Sequence, residues 1–385
     1  MDFRDTPEEK SFRAELREWI GRHAPREPIP VDADERAAFL NDWHRELHRA
    51  GYIGLSFPQD CGGHGKLEIY EAILNDELGA AEAPPGPPIA HIANAIRIFG
   101  SDAQRRRHLP TLLSGEVRWC QGFSEPGAGS DLASLSTRAT READGGYRVN
   151  GQKIWTSEAI WSDWCMLLAR EPGSVGQKGI SVLLVPLATP GVDARPIVTA
   201  SGSREFAEVF FDDARVAAES LLGTAGQGWE IAMALLAYER GPADMGWVAR
   251  MGSTLQRLQG LLSEDPNVDP WLRIELARAH VALRALQIQV QRSLSARLDG
   301  SRPGPEGSVD KLLMTRVDQR IHGLMMDVLG APPLLEEGRE LDLYFWSRAQ
   351  SIFGGTQQIQ RDIVAQRVLG LPRVRRAPSA AKPGK

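Results

Sequence analysis

The chain is poor in cysteine and lacks any long apolar run, and each shortage excludes something. Its three cysteines, Cys61, Cys120 and Cys165, stand without CxxC spacing, which argues against a disulfide framework or a structural zinc site and fits a reducing cytoplasm. Its eight histidines show no HxxxH or HExxH pattern on a shared helical face, so no metal is expected. No GxGxxG follows a strand and opens a helix, which argues against a Rossmann nucleotide site. Charge of one sign is also missing: 45 basic and 50 acidic residues are interspersed and sum to −5, so neither nucleic acid nor an anionic membrane is an expected partner. The N-terminus is charged from its second residue, and no uncharged stretch is long enough to span a bilayer, so neither export nor membrane insertion is expected.

What remains is ordinary globular composition, 42% hydrophobic and 25% charged over 385 residues, enough for two or three packed domains. FRAELREWI, FLNDWHRELHRAG and IYEAILNDELGA place apolar residues three and four apart and read as helices. APPGPP at 83–88 breaks the pattern, and helical runs resume through Ile98 and RRRHLPTLLSGE. From Trp119, short β-rich runs (YRVNGQKIWTS, WCMLLAR, GISVLLVPL, EFAEVFFDD) alternate with turn signals such as DGG, NG and TPG, which predicts a compact antiparallel β domain. Helical periodicity returns at GWEIAMALLAYERG, and Leu272, Leu276, Leu283, Leu286, Val290, Leu294 and Leu298 mark one stripe of a long helix. GSRPGPEGS at 300–308 reads as a flexible connection. The divisions expected are 1–118 helical, 119–222 β, 223–371 helical, and 372–385 a disordered basic tail.

The sharpest local feature is SEPGAGSDLAS at 124–134. Its glycines and serine can bring backbone N–H groups and a hydroxyl close to a flat or phosphorylated ligand, because no β-carbon stands in the way. Alone it equally fits a left-handed turn opening a short helix. NGQKIWTSEA then puts Trp155, Thr156 and Ser157 just past an NG hairpin at a strand end. A tryptophan beside two hydroxyls can cover one face of an isoalloxazine ring while a hydroxyl bonds its edge, although any one of ten tryptophans is more simply a packing residue. The pairing of the two segments favours the flavin.

SEPGAGSD, NGQKIWTS, FFDDARV and GGTQQIQRDIVAQRVLGLPR, in that order and spacing, resemble the acyl-CoA dehydrogenase family over nearly the whole chain, to about Pro372. The resemblance implies an α+β multidomain fold: an N-terminal helical domain, a central antiparallel β-barrel-like domain and a C-terminal four-helix bundle. It implies FAD as cofactor, lined by the stretch that includes Gln121, Phe123, Ser124, Gly129 and Ser130, with Ser130 also approaching the acyl-CoA. Trp155 would flank the ring, with the Thr156–Ser157 hydroxyls at its edge and Ser157 near the hydride-accepting nitrogen. Thr356 and Gln358 match residues that reach the cofactor.

The base departs from the commonest pattern. Many relatives carry the catalytic glutamate immediately before the Gly-Thr of the C-terminal motif, where this chain reads Phe353-Gly354-Gly355-Thr356. A second arrangement, as in isovaleryl- and long-chain-type enzymes, puts it in a Glu-Arg pair on the first long helix after the β domain, here LLAYERG. By that resemblance Glu239 is the base and Arg240 contacts the CoA moiety. The chemistry demands a carboxylate, since the α-proton of a thioester is weakly acidic; a Glu in a generic YERG is more often half of a surface ion pair, and it is the absence of a carboxylate at Gly354, given the resemblance, that reverses the choice. Met233, Leu236, Ala237 and Phe353 are the residues on which acyl-pocket depth would depend.

A second departure concerns assembly. The family's Arg-x-x-Phe-Gly…Gln stretch, through which a neighbouring subunit reaches the cofactor, is replaced by GLLSEDPNVDPWLRIELA, and its QxxGG element by DVLGAPPLL. Two explanations stay open: Arg273 or another basic residue substitutes in a homo-oligomer, the simpler of the two, or a paralogous subunit supplies the contacts in a mixed tetramer. The implied activity is α,β-dehydrogenation of an acyl-CoA, with electrons passed to an electron-transfer flavoprotein. The alternatives are a relative working on carrier-protein thioesters, an oxidase, and a silent flavin-binding scaffold subunit.

Overall fold

The computed structural model describes residues 4–238, 241–264, 268–298, 304–334 and 338–372. Glu239 and Arg240, part of the 300–308 connection and nearly all of the C-terminal tail lie outside the described residues.

The N-terminal third is helical for local reasons. Helix α1 (Pro7–His23) opens on a reciprocal cap in which the Thr6 hydroxyl accepts from Glu9 N–H and the Glu9 carboxylate accepts from Thr6 N–H. Helix α2 (Ala33–Arg49) starts at Asp32, whose carboxylate accepts from the Asp34 and Glu35 amides. Each cap satisfies donors that a helix start leaves unpaired. Helix α3 (Glu68–Ala80) joins them around Leu16, Ile20, Trp43, Leu47, Ile73 and Leu78, all buried. After the proline break come α4 (Ala90–Phe99) and α5 (Asp102–Leu113), with Ser101 and Gln104 repeating the reciprocal cap at their corner.

The middle third is an eight-stranded sheet: β1 (Trp119–Gly122), β2 (Arg138–Arg141), β3 (Tyr147–Ser157), β4 (Trp164–Arg170), β5 (Ile180–Pro186), β6 (Val192–Ile197), β7 (Phe206–Val216) and β8 (Leu221–Leu222). The strand order is β6-β7-β3-β2-β4-β5-β8, with β1 also on β4. Most ladders are antiparallel, as expected, but β1–β4 and β2–β4 are parallel, so the sheet is open and mixed. β4 and β5 read as unbroken apolar runs because the sheet is covered on both faces: Met166, Leu168, Val182 and Leu184 belong to one buried cluster, and Leu167, Ala169, Leu183 and Val185 to another. The Asn150–Gly151 pair is not a hairpin turn. It lies inside β3, at a register shift against β7, where a Cβ on Gly151 would come 2.6 Å from Thr137 Oγ1. The hairpin before β3 is made instead at Asp144–Gly146, closed by Glu142 N–H to Gly146 O at 2.8 Å.

The last third returns to helix: α6 (Gly228–Tyr238), α7 (Pro242–Glu264), α8 (Pro270–Leu298), α9 (Gly307–Leu329), α10 (Arg339–Ala349) and α11 (Gln357–Ile363). α6 lies on β5 and α4, while α7, α8, α9 and α10 form the C-terminal bundle. The stripe on α8 faces that bundle, with Leu286, Val290 and Leu294 buried and Leu272, Leu276 and Leu283 packed at its margin, but Leu298 is left 37% exposed. α3 and α7 touch almost backbone to backbone: a Cβ on Gly79 would sit 2.4 Å from Gly246 O. Helices from opposite ends of the chain are thereby locked into one body. Among the described residues no helix is long and apolar enough to cross a membrane, and no cluster of three or more His, Cys, Asp or Glu could hold a metal.

Candidate active site

The two central motifs meet at one end of β3. Ile154 N–H donates to Ser124 O at 2.9 Å, and Lys153 Nζ donates to Phe123 O at 3.0 Å and to Glu125 Oε1 at 2.8 Å. Glu125 also accepts from Ser136 N–H and Oγ–H and from Thr137 N–H. Burial opposes its charge, but the Lys153 ammonium and these donors outweigh that and hold the carboxyl at about 2. Burial likewise pushes the Lys153 ammonium down, against the pull of Glu125. Phe123 and Ser124 are thus fixed beside Lys153 and Ile154, while Gln121 lies in β1, paired with Met166 of β4.

Between Lys153 and Thr156, β3 carries one residue more than β7, a bulge that turns Trp155 outward. Trp155 has φ +59°, a left-handed conformation that costs a bulky residue about 1–2 kcal/mol. Its indole is 57% exposed and meets Phe206 edge-on at 6.1 Å. The next residue, Thr156, is buried, yet its Oγ1 has no hydrogen-bond partner among the described residues. Leaving such a group unsatisfied costs about 1–3 kcal/mol. Ser157 is exposed beside Phe206.

The loop above this shelf turns tightly, with Glu125 N–H to Ala128 O at 2.9 Å and Ala128 N–H to Glu125 O at 3.0 Å. A Cβ at Gly127 or Gly129 would meet nothing within 4 Å, so packing inside the protein does not require glycine there. Gly129 and Ser130 are exposed. An exposed flat aromatic face, a sealed hydroxyl without a partner and a bare glycine loop fit a flat ligand with polar edge atoms, as the flavin of FAD is.

The C-terminal motif forms a separate feature. Gly354 and Gly355 both take left-handed conformations, φ +59° and +85°, and a Cβ on Gly355 would sit 2.5 Å from Gln360 Nε2, which donates to Gly354 O at 2.8 Å. A glutamate at 354 would be strained. Thr356 caps α11 by accepting from Ile359 N–H at 3.3 Å, and Gln358 is exposed. No hydrogen bond among the described residues joins Thr356 or Gln358 to the Trp155 shelf. The bundle nevertheless comes within electrostatic reach of it. Glu205, next to Phe206, is pushed up to about 7 by burial, with Glu158 and Asp342 of α10 adding to the rise and Arg36 opposing it.

Lys153 and Glu125 are the members that sequence reasoning missed. Both lie inside the quoted motifs, and an acid in one with a base in the other was the available signal. A cavity of about 660 Å³ near Phe99, Gln104, His108 and Trp164 shares no lining residue with the shelf. The shelf is the better site, because it holds the unpartnered hydroxyl and the strained tryptophan.

Comparison with known proteins agrees along the whole chain. Residues 6–116, 120–214 and 226–369 match the N-terminal, middle and C-terminal domains of acyl-CoA dehydrogenase. The chain is 39% identical to acyl-CoA dehydrogenase IpdE1 of Mycobacterium tuberculosis, over 94% of this chain and 98% of that one. It resembles the crystal structure of the ChsE4–ChsE5 complex from Mycobacterium tuberculosis, with TM-score 0.83, 29% identity and coverage of 97% and 100%. It also resembles the Tcur3481–Tcur3483 steroid acyl-CoA dehydrogenase, with TM-score 0.83, 27% identity and coverage of 97% and 100%.

Proposed function

The chain belongs to the acyl-CoA dehydrogenase family, and from that premise we propose how its residues carry the reaction. It is an oxidoreductase that dehydrogenates acyl-CoA thioesters, and the family's members are flavoproteins. In our reading the cofactor is FAD, which when bound supplies the acceptor for the hydride leaving the β-carbon. Trp155 covers one face of the ring. The Thr156 and Ser157 hydroxyls bond its edge, and Gln121, Phe123, Ser124, Gly129 and Ser130 line its approach. Thr356 and Gln358 hold more distant parts of the cofactor.

Glu239 takes the α-proton as its carboxylate, Arg240 holds a CoA phosphate and Ser130 borders the thioester. The observation that carries the cofactor reading is the buried Thr156 hydroxyl, which lacks a partner beside the outward-turned Trp155. What supports Glu239 is the pair Gly354–Gly355 at the other family position, in left-handed conformations that suit glycine and where no carboxylate is available. The test is anaerobic bleaching of the bound flavin by acyl-CoA. Glu239→Gln keeps FAD and loses bleaching by several orders of magnitude; unchanged bleaching refutes the assignment.

We further propose a paralogous partner subunit in a mixed tetramer rather than a homotetramer completed by Arg273. Two structures that this chain resembles are named for pairs of different chains. On α8, Trp271, Ile274, Val281 and Ile288 form an exposed apolar row, a surface of the kind that another subunit covers. Steroid-derived acyl-CoA is the first substrate class to assay, because one of those structures is described as a steroid enzyme. An electron-transfer flavoprotein as acceptor and the cytoplasm as compartment complete the proposal. Full flavin loading of the chain expressed alone would end the mixed-tetramer reading.

A further inference from the structure

Three elements far apart in sequence converge on Gly241, immediately before α7. α6 ends at Tyr238 and α7 begins at Pro242, and in sequence Gly241 directly follows Glu239 and Arg240. Gly241 is held tightly. It has φ +129°, a region that side chains rarely adopt. Its N–H donates to Asp244 Oδ2 at 3.1 Å, and its carbonyl accepts from Asp244 N–H at 2.9 Å, with Asp244 buried. A guanidinium lies against its Cα: a Cβ on Gly241 would come 2.1 Å from Arg297 Nη1.

Arg297 is in the last turn of α8, and its other face is gripped by Glu68, the first residue of α3. Nε donates to Glu68 Oε2 and Nη2 to Glu68 Oε1, both at 2.9 Å, and the arginine side chain is 10% exposed. A planar bidentate fork of this kind fixes orientation as well as distance. Glu71, one turn along α3, is raised by burial and by Glu68, while hydrogen bonds from Ser56 and the charge of Arg297 oppose the rise.

We propose that Glu68 and Arg297 are positioning residues that clamp Gly241 and so, through the covalent chain, restrict where Glu239 and Arg240, its two predecessors in sequence, can be placed. The inference rests on the reading of Glu239 as base. Successive Cα atoms are about 3.8 Å apart, so a contact on Gly241 acts within about 8 Å of the Glu239 backbone. A base displaced by about 1 Å can cost roughly a hundredfold in rate. The clamp therefore exerts its effect on where the carboxylate stands, without touching substrate.

The test compares Arg297→Gln, Arg297→Lys, Glu68→Gln and Gly241→Ala in the full chain, co-expressed with a partner subunit if flavin loading needs one. Arg278→Gln, which breaks an exposed pair with Glu275 on the same helix, is the control. Hydrogen exchange over 236–246 should rise at least about tenfold in the clamp variants and stay unchanged in the control. Bleaching at saturating acyl-CoA should slow by roughly a hundredfold in Arg297→Gln, with KM within about threefold and FAD content unchanged, and Arg297→Lys should restore part of it. Combining Gly241→Ala with Arg297→Gln should add little to either alone. Unchanged exchange over 236–246 in a folded Arg297→Gln or Glu68→Gln protein overturns the clamp, as does bleaching that falls only in proportion to lost FAD. If the unaltered protein bleaches with no thioester, the functional reading fails, while the exchange measurement still decides the clamp.

Discussion

The Lys153 ammonium stands 2.8 Å from Glu125 Oε1, with the two side chains 0% and 4% exposed. This ion pair ties the glycine loop to the strand that carries Trp155. A buried pair of this kind is weak evidence of net stability, but removing one partner strands a charge and costs about 3–5 kcal/mol. Lys153→Met should therefore destabilise by that order in urea unfolding at neutral pH and release the Phe123–Ser124 segment, weakening FAD binding. The sign with pH follows from Glu125, whose folded value of about 2 lies below its ordinary 4.5. Its contribution is present above pH 4.5 and fades as pH falls toward 2, so the gap between Lys153→Met and the unaltered protein should narrow over that window.

Thr156→Val removes a buried hydroxyl that has no partner among the described residues. Without FAD the variant should unfold no more easily than the unaltered chain, and up to about 1–3 kcal/mol less easily. Its FAD affinity should fall by roughly tenfold, the worth of one hydrogen bond. A variant that lost stability without FAD and kept its affinity would count against the hydroxyl as a ligand group.

Trp155→Gly relieves the left-handed backbone, whereas Trp155→Ala does not. In thermal unfolding of the FAD-free protein, the glycine variant should exceed the alanine variant by about 1 kcal/mol. Both should bind FAD more weakly than the unaltered chain, as judged by quenching of flavin fluorescence.

His44 tests the α2–α5 interface. Burial lowers its pKa to about 4 from 6.5, although the Leu113 carbonyl at 2.9 Å opposes the shift. A depressed imidazole leaves stability intact above pH 6.5 and reduces it as the unfolded chain takes up a proton that the fold rejects, down to about pH 4. The loss should be about 2–3 kcal/mol across that window in urea titrations. His44→Gln should flatten that slope.

Val281 lies in the exposed row on α8, 73% accessible. Val281→Glu should leave the isolated chain within about 0.5 kcal/mol of its normal stability. By analytical ultracentrifugation it should reduce association with a partner subunit. Undiminished assembly would move the interface elsewhere.

The division between what was legible and what was not follows the range of the forces involved. The stripe on α8 and the alternation of helical, β and helical blocks are local patterns, set by periods of 3.6 and 2.0. They are written in neighbouring residues. The family motifs were legible for the same reason, as short strings in a fixed order.

Pairings between distant segments were not. The parallel β1–β4 contact, the Asn150–Gly151 pair absorbed into a strand, the Lys153–Glu125 bond across 28 residues and the Arg297–Glu68 fork across 229 residues depend on which surfaces meet after burial. Local pattern cannot encode that choice, because a lysine in a β-rich run or an arginine at a helix end has the same local signature whether it meets water or a carboxylate. The sequence by itself determined the order of helices and strands and the residue types available for chemistry. The tertiary structure alone decided which of them share a low-dielectric site, where an unpaired charge or hydroxyl is costly enough to enforce one arrangement.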